Sequence, residues 1–399
     1  MSLTNTPSAN RLHIGIFGRR NSGKSSFINA LTGQDIALVS DVAGTTTDPV
    51  YKAMEIHGLG PCMLIDTAGF DDVGELGKMR VEATEKAAEK TEIAVLLCSA
   101  ADYTGDLSYE KQWVKTLRER KVPILALVNK ADEADSAPLT AAVRQELDLD
   151  PLCISATTRA GMEQVIPALI RLLPEDFGSD TIIGHLVTAG DTVLLVMPQD
   201  IQAPKGRLIL PQVQTIRDLL DHKCTVISCT ADGLDKALSA LARPPKLIIT
   251  DSQVFPLVYE KKPADSLLTS FSVLFAAYKG DIQAFVEGAA AIDRLDAGSR
   301  VLIAEACTHA PLTEDIGRVK IPRMLRGRVG ESLQVEIVSG VDFPADLTPY
   351  DLIIHCGGCM FNRKYVLSRV ERAKAQSIPI TNYGVAIAKL TGILDKITW

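Results

Sequence analysis

From Leu12 to about Leu173 the chain alternates short apolar runs with stretches of helical period. LHIGIFG, PCMLIDTAG, IAVLLCSA, VPILALVNKAD and PLCISATT are brief, rich in β-branched residues and closed by polar or glycine-containing turns, the pattern of buried strands. KMRVEATEKAAEK and LSYEKQWVKTLRERK carry apolar residues at helical spacing between them. This alternation predicts an α/β domain over residues 10–173, with a mostly parallel sheet covered on both faces. PEDFGSD, residues 174–180, is rich in Pro, Gly and acids and reads as a linker.

The same alternation resumes twice. Over residues 181–262, DTVLLVMP, CTVISCT and KLIITDS are expected strands, separated by the helical stretches LPQVQTIRDLLDHK and GLDKALSALARP. This small α/β layer holds neither a glycine-rich phosphate loop nor a catalytic cluster, which points to a structural use such as subunit contact. Over residues 263–399, SLLTSFSVLFAAYKG and IQAFVEGAAAIDRL are expected helices. The strands RVLIAEA, LQVEIVSG, YDLIIHC and IPITNYG follow, with the helix MFNRKYVLSRVERAKAQ before the last.

Composition narrows the class. Hydrophobic residues make up 46% and charged residues 23% of the 399, a balance that favours a globular chain over a disordered one. The net charge of −7 argues against nucleic-acid binding through an overall basic surface. No apolar run reaches membrane-spanning length and MSLTNTPSANR has no signal-peptide core, so a cytoplasmic protein without membrane association is expected. In that reducing compartment the eight cysteines are expected as thiols, most of them small buried apolar residues. Cys307, Cys356 and Cys359 alone have ligand-like neighbours.

Gly18-Arg19-Arg20-Asn21-Ser22-Gly23-Lys24-Ser25 fits G-x-x-x-x-G-K-[ST] between an expected strand and the expected helical stretch SSFINALTG, whose second residue is Ser26. Glycines let the backbone wrap a phosphate, so that amide N–H groups and the helix N-terminus face the anion. Lys24 is then expected on the β- and γ-phosphates and Ser25 on Mg²⁺. Asp66-Thr67-Ala68-Gly69 supplies the Mg²⁺-linked acid and a glycine placed to sense the γ-phosphate. Asn129-Lys130-Ala131-Asp132 ends another strand, and the Asp132 carboxylate can accept both guanine N–H donors, a pairing adenine cannot offer. Ser155-Ala156 ends a fourth strand, where a backbone amide can meet the guanine carbonyl. Each piece alone could be an ordinary turn; four in order on successive strands predict a GTP site.

These motifs resemble the P-loop GTPases of the tRNA-modification/Era-like type. Gly44-Thr45-Thr46-Thr47-Asp48 is similar to that family's GTTRD switch segment, with Thr46 first and Thr45 second as the threonine that closes over Mg²⁺; Thr47 replaces the usual Arg. Asn21 matches the asparagine that coordinates K⁺ in potassium-dependent members; a turn-forming Asn is its other reading. Phe70 stands where Ras-like proteins place a water-orienting Gln, and a phenyl ring cannot polarise water, so slow, switch-like hydrolysis is expected. DDVGELG, residues 71–77, is the expected mobile segment.

Cys307-Thr308-His309 follows the strand RVLIAEA, and His355-Cys356-Gly357-Gly358-Cys359 closes YDLIIH. If those strands are parallel neighbours, all these side chains emerge at one carboxyl edge, where open α/β sheets bind ligands. Two glycines allow the backbone to curl so that both sulfurs face one centre. Three thiolates suit an iron–sulfur cluster, and zinc in a Cys₃His site competes for the same ligands. The bland alternative is a redox CxxC beside unrelated histidines. Arg318, Lys320, Arg323, Arg326 and Arg328 form a basic stretch nearby, more simply a solvated face than an anion site, and Pro322 argues against one unbroken helix there.

A GTPase domain joined to C-x-H…H-C-x-x-C resembles, over essentially the whole chain, the HydF family of iron–iron hydrogenase maturation GTPases. The resemblance implies three α/β parts: the P-loop GTPase domain, a dimerisation domain over 181–262 and an iron–sulfur cluster domain over 263–399. It implies a 4Fe–4S cluster on Cys307, Cys356 and Cys359, with Glu305, His309 and His355 as candidates for the fourth iron. Glu305 lies two residues before Cys307 and so shares its side of the strand. It further implies a homodimeric scaffold or carrier that receives a diiron subcluster precursor assembled with radical-enzyme maturases and passes it to apo iron–iron hydrogenase. GTP is expected to gate partner association. A regulatory or RNA-modification-type GTPase with structural zinc is the alternative.

Overall fold

The computed structural model describes residues 6–33, 49–69, 75–173, 181–198, 208–306, 315–340, 342–358 and 361–399, with backbone alone for 75–78. The chain divides into two compact units, Met1–Phe177 and Gly178–Trp399.

The first unit is built on strands β1 (Leu12–Gly18), β2 (Val50–Ile56), β3 (Gly60–Asp66), β4 (Ile93–Ser99), β5 (Ile124–Asn129) and β6 (Leu152–Cys153). They form a six-stranded sheet in the order β2-β3-β1-β4-β5-β6, parallel except for the β2–β3 hairpin. Helices α1 (Lys24–Thr32), α2 (Glu75–Ala88), α3 (Ser108–Glu119), α4 (Ala137–Leu147) and α5 (Val165–Arg171) connect them. Every residue of β1 is buried because both faces are covered, which is why it reads as an unbroken apolar run. Alternate side chains feed opposite layers: Ile14 and Ile16 join Phe27 and Leu64, whereas Phe17 joins Leu96 and Trp113. Strand β2 escaped the apolar pattern, since on this edge strand only Ile56 is buried. The chain leaves β1 towards β2 and β3, while β4 lies on the other flank of β1. The carboxyl ends of β1 and β4 therefore flank a topological switch point, and the loop after Gly18 opens there.

The second unit contains two four-stranded, all-parallel sheets. The first joins β7 (Thr192–Val196), β8 (Thr225–Cys229), β9 (Leu247–Thr250) and β10 (Leu267–Ser270) in the order β10-β9-β7-β8. Helices α6 (Leu210–Asp221), α7 (Leu234–Ser239) and α8 (Phe255–Lys261) connect these strands, and α9 (Phe271–Lys279) and α10 (Ile282–Ala289) follow. The stretch SLLTSFSVLFAAYKG was expected to be one helix; it is a strand running directly into one. Leu267–Ser270 pairs with β9, and the Ser270 hydroxyl then accepts the Val273 amide at 3.2 Å as the N-cap of α9. A continuous apolar run buried on all sides carries no period to separate strand from helix, and the polar Thr269-Ser270 junction is the boundary.

The second sheet joins β11 (Arg300–Glu305), β12 (Gln334–Ser339), β13 (Leu352–His355) and β14 (Ile380–Asn382) in the order β12-β11-β13-β14. Its helices are α11 (Ile321–Val329), α12 (Arg363–Ala375) and α13 (Tyr383–Leu390). Pro322 sits in the first turn of α11, where its missing N–H is not needed, and a π-helical turn over Ile316–Lys320 leads into it. One apolar core runs through both sheets, from Leu194 and Ile248 to Ile303 and Ile354. Among the described residues no helix is long and apolar enough to cross a membrane.

Candidate functional site

Two clusters of site residues lie at carboxyl sheet edges, one in each unit. In the first, the chain leaves β1 at Gly18 and turns back into α1 through Asn21 at φ 62° and Gly23 at φ 91°. A Cβ on Gly23 would collide with the Asn129 amide nitrogen, so both the backbone angle and the space demand glycine. Lys24, the first residue of α1, donates to the carbonyls of Gly18 at 3.0 Å and Arg19 at 2.9 Å, which spans the mouth of the loop. Ser25 Oγ donates to Asp66 Oδ2 at 3.1 Å, so the two residues expected around Mg²⁺ meet across β1 and β3. Burial pushes the Asp66 carboxyl up, against the lowering charge of Lys24 and the Ser25 hydrogen bond. Ser26 follows on α1, half-buried, and the Ser22 hydroxyl is buried without a hydrogen-bond partner among the described residues. Gly69 is the last described residue of its motif.

Asn129 joins this loop to the expected base-recognition segments. Its Nδ2 donates to Ser22 O at 2.9 Å and its Oδ1 accepts the Ala156 amide at 3.0 Å, with the side chain almost wholly buried. The Ser155 amide donates to Ala160 O and its hydroxyl accepts the Thr158 amide. The Ser155 and Ala156 amides, one of which was expected to meet the guanine carbonyl, thus both have protein partners here. Lys130, at φ 60°, pairs with Asp102 at 2.9 Å, and Asp132 is exposed at the rim.

Arg19 was missed as an anchor because its position in the motif is formally unrestricted. Its Nε and Nη2 each donate to the buried Glu110 carboxylate at 2.8 Å, and Nη2 also reaches Asp106. This fork holds the phosphate loop to α3, and the Glu110 hydrogen bond raises the Arg19 pKa further. Thr45, Thr46, Phe70 and residues 71–74 lie outside the described residues.

The second cluster rests on strand pairing that the sequence left conditional. β11 and β13 are parallel neighbours with Ala304 opposite His355, so the chain leaves Glu305 and His355 at the same edge. β11 leads to β12 on one flank and β13 leads to β14 on the other, which makes this edge a switch point as well. Cys356 is held closely. Its sulfur accepts the Ala306 amide at 2.8 Å and the Gly358 amide at 3.4 Å. Its carbonyl meets His355 Nδ1 at 2.7 Å and accepts Asn382 Nδ2 at 3.2 Å. Two amides aimed at one sulfur favour its thiolate, the form that binds metal. The Cys356 sulfur thus suits one thiolate ligand; among the described residues no group of three or more His, Cys, Asp or Glu side chains is gathered to hold a metal.

The His355 ring is fully buried, and its second nitrogen, Nε2, lies 3.1 Å from Arg369 Nη1. Burial, helped by the Arg369 charge, pushes its pKa down to about 3. Glu305 takes Arg318 at 2.8 Å and Ser339 at 3.1 Å on Oε2. The Tyr383 hydroxyl is buried nearby without a hydrogen-bond partner among the described residues, and burial raises its pKa, with Cys356 and Glu305 adding to the effect. The basic stretch resolves partly into ion pairs, Arg318 with Glu305 and Arg328 with Asp293. Cys307, His309 and Cys359 lie outside the described residues. Of the remaining cysteines, Cys62, Cys98 and Cys224 are buried as expected, and burial lifts Cys62 to about 12.

Residues 283–398 match the Hydrogen maturase F tetramerization domain and residues 182–280 the Hydrogen maturase F dimerization domain. Residues 13–130 match the 50S ribosome-binding GTPase family. The tRNA modification GTPase MnmE of Paraburkholderia xenovorans is 32% identical over 172 residues, covering 43% of this chain and 36% of its own. GTPase Der of Nitratidesulfovibrio vulgaris is 34% identical over 177 residues, covering 41% of this chain and 35% of its own. This chain thus spans about a third of the length of these curated relatives. Among solved structures, Era of Aquifex aeolicus bound to GDP and AlF₄⁻ aligns with a TM-score of 0.36 at 17% identity, over 64% of this chain and 99% of that one. A tetramerization domain in the last third was not foreseen, since sequence patterning had assigned subunit contact to the middle domain alone.

Proposed function

Because the chain belongs to the hydrogen maturase F family, as a hydrogenase maturation GTPase with oligomerisation domains, we propose that it is a GTP-hydrolysing scaffold for metallocluster delivery. In this reading it holds a 4Fe–4S cluster and passes a diiron subcluster precursor, assembled with radical-enzyme maturases, to apo iron–iron hydrogenase. The observation that carries the proposal is the Cys356 sulfur, set between two backbone amides at a sheet switch point in a chain that also carries a GTPase domain.

At the nucleotide site, Lys24 neutralises the β- and γ-phosphates, while Ser25 and Thr46 hold Mg²⁺ with Asp66 behind Ser25. Gly18, Asn21, Ser22, Gly23 and Ser26 line the phosphate loop, and Asp132 selects guanine by accepting its two N–H donors. Gly69 senses the γ-phosphate. Water attacks the γ-phosphorus and GDP and phosphate leave; with Phe70 unable to orient that water, turnover is slow. Asn21 would hold K⁺, which would supply part of the missing charge.

At the second site, Cys307, Cys356 and Cys359 are the thiolate ligands, and Glu305, His309 and His355 are the candidates for the fourth iron. When bound, the cluster would supply an iron site open to an exchangeable ligand. The chain's own part is to present the sulfurs and to keep their amide donors in place.

Anaerobic reconstitution with iron and sulfide, followed by EPR of the reduced protein, tests the cluster. Stoichiometric zinc in an EPR-silent protein would instead support the regulatory or RNA-modification-type reading. Cargo needs a separate assay, in which loaded protein activates apo iron–iron hydrogenase and Cys307→Ala does not.

A further inference from the structure

Arg369 on α12 heads the fully buried side chains of the described residues in size, and among those residues no carboxylate pairs with it. Phe343, Phe361 and Tyr365 surround its guanidinium, their ring centroids 4.8, 4.9 and 4.7 Å from the central carbon. Nη2 donates to Gly340 O at 2.6 Å and to the Tyr365 hydroxyl at 3.1 Å, and Nη1 lies 3.1 Å from His355 Nε2. A buried cation without a counter-ion is unfavourable even when aromatic faces offset part of that penalty. Packing alone therefore gives no reason for arginine here.

The chemistry of the pair supplies one. A guanidinium has only donors, so His355 Nε2 must accept. The single proton of the neutral ring then sits on Nδ1 and is donated to Cys356 O at 2.7 Å. Both ring nitrogens are engaged within the protein. We propose that His355 and Arg369 are positioning residues rather than metal ligands: the caged guanidinium and the Cys356 carbonyl together fix the His355 tautomer, and His355 clamps the Cys356 peptide so that its sulfur faces the Ala306 and Gly358 amides. The part of this that concerns a bound cluster rests on the cluster reading above; the tautomer does not.

The test begins with the full chain, metal-free and labelled with ¹⁵N-histidine. Two-bond proton–nitrogen spectra, with His355 assigned through His355→Gln, are expected to place the proton on Nδ1. Arg369→Met should move the His355 Nε2 resonance towards that of a ring nitrogen that accepts no hydrogen bond, and Arg369→Lys, which keeps a donor and a charge, should restore it. A wild-type proton on Nε2, or an Nε2 resonance unchanged in Arg369→Met, overturns the proposal. In the iron–sulfur-reconstituted protein, pulsed EPR is expected to show no first-sphere nitrogen coupling that His355→Gln removes. Arg369→Met should shift the cluster potential to more negative values with iron content held within about twofold. A directly coordinated His355 nitrogen overturns the proposal. A wild-type chain that takes zinc and no cluster sinks the cluster reading alone, and the metal-free spectra still decide the pair.

Discussion

At Gly23 one missing methyl group ties backbone, packing and nucleotide site together. The residue holds φ at 91° against the Asn129 amide, and Asn129 in turn bonds both Ser22 and Ala156. Gly23→Ala is therefore expected to cost about 1–3 kcal/mol in strain and to weaken GDP binding; thermal unfolding with and without GDP separates the two effects. Asp132→Asn replaces an acceptor by a donor and should shift preference from GTP towards xanthosine triphosphate, checked by competitive nucleotide binding. Removing the ammonium in Lys24→Ala should lower GTP turnover roughly 10²–10³-fold, the usual loss for one electrostatic donor, while leaving the fold intact by circular dichroism. The motif was legible at this scale because phosphate binding constrains glycines, lysine and hydroxyls at fixed spacing. Arg19 was not legible, since nothing local announces that a loop arginine will fork onto Glu110 some ninety residues away.

Among the elements, strand β10 shows where periodicity loses its power. Leu268 is buried in the sheet, and the Ser270 cap starts α9 with no loop between strand and helix. Leu268→Ala is expected to destabilise the second unit by about 2–5 kcal/mol, the range for truncating a buried leucine, read by chemical denaturation of the full chain. Arg363 Nη1 then takes the carbonyls of Ala277, Tyr278 and Gly280 at the end of α9, and Lys279 donates to Phe361 O. These contacts tie the end of the middle-sheet helix to the chain just beyond Cys359. No local pattern hints at them, because the partners are more than eighty residues apart.

For the whole molecule, the GTPase domain lies in one compact unit and the cysteine edge in the other. Nucleotide state is expected to act on partner association rather than on cluster retention. Lys24→Ala should keep its iron content yet lose nucleotide-dependent binding to apo-hydrogenase in pull-down assays; loss of iron with unchanged partner affinity would reverse that assignment. Sedimentation should show an oligomer, as matches to both dimerization and tetramerization domains require. Its rate of GTP hydrolysis should rise when Na⁺ is replaced by K⁺, through Asn21.

The GTP motifs, the α/β class and the candidate cysteines were determined by sequence, because each depends on residue type at short fixed spacing or on local apolar period. Tertiary structure alone decided that β11 and β13 are parallel neighbours, and hence that Glu305 and Cys356 share one sheet edge. It alone placed two backbone amides on the Cys356 sulfur and turned both nitrogens of His355 inward. Those outcomes depend on strand order and on contacts between distant segments, and a linear pattern of apolar and polar residues carries neither.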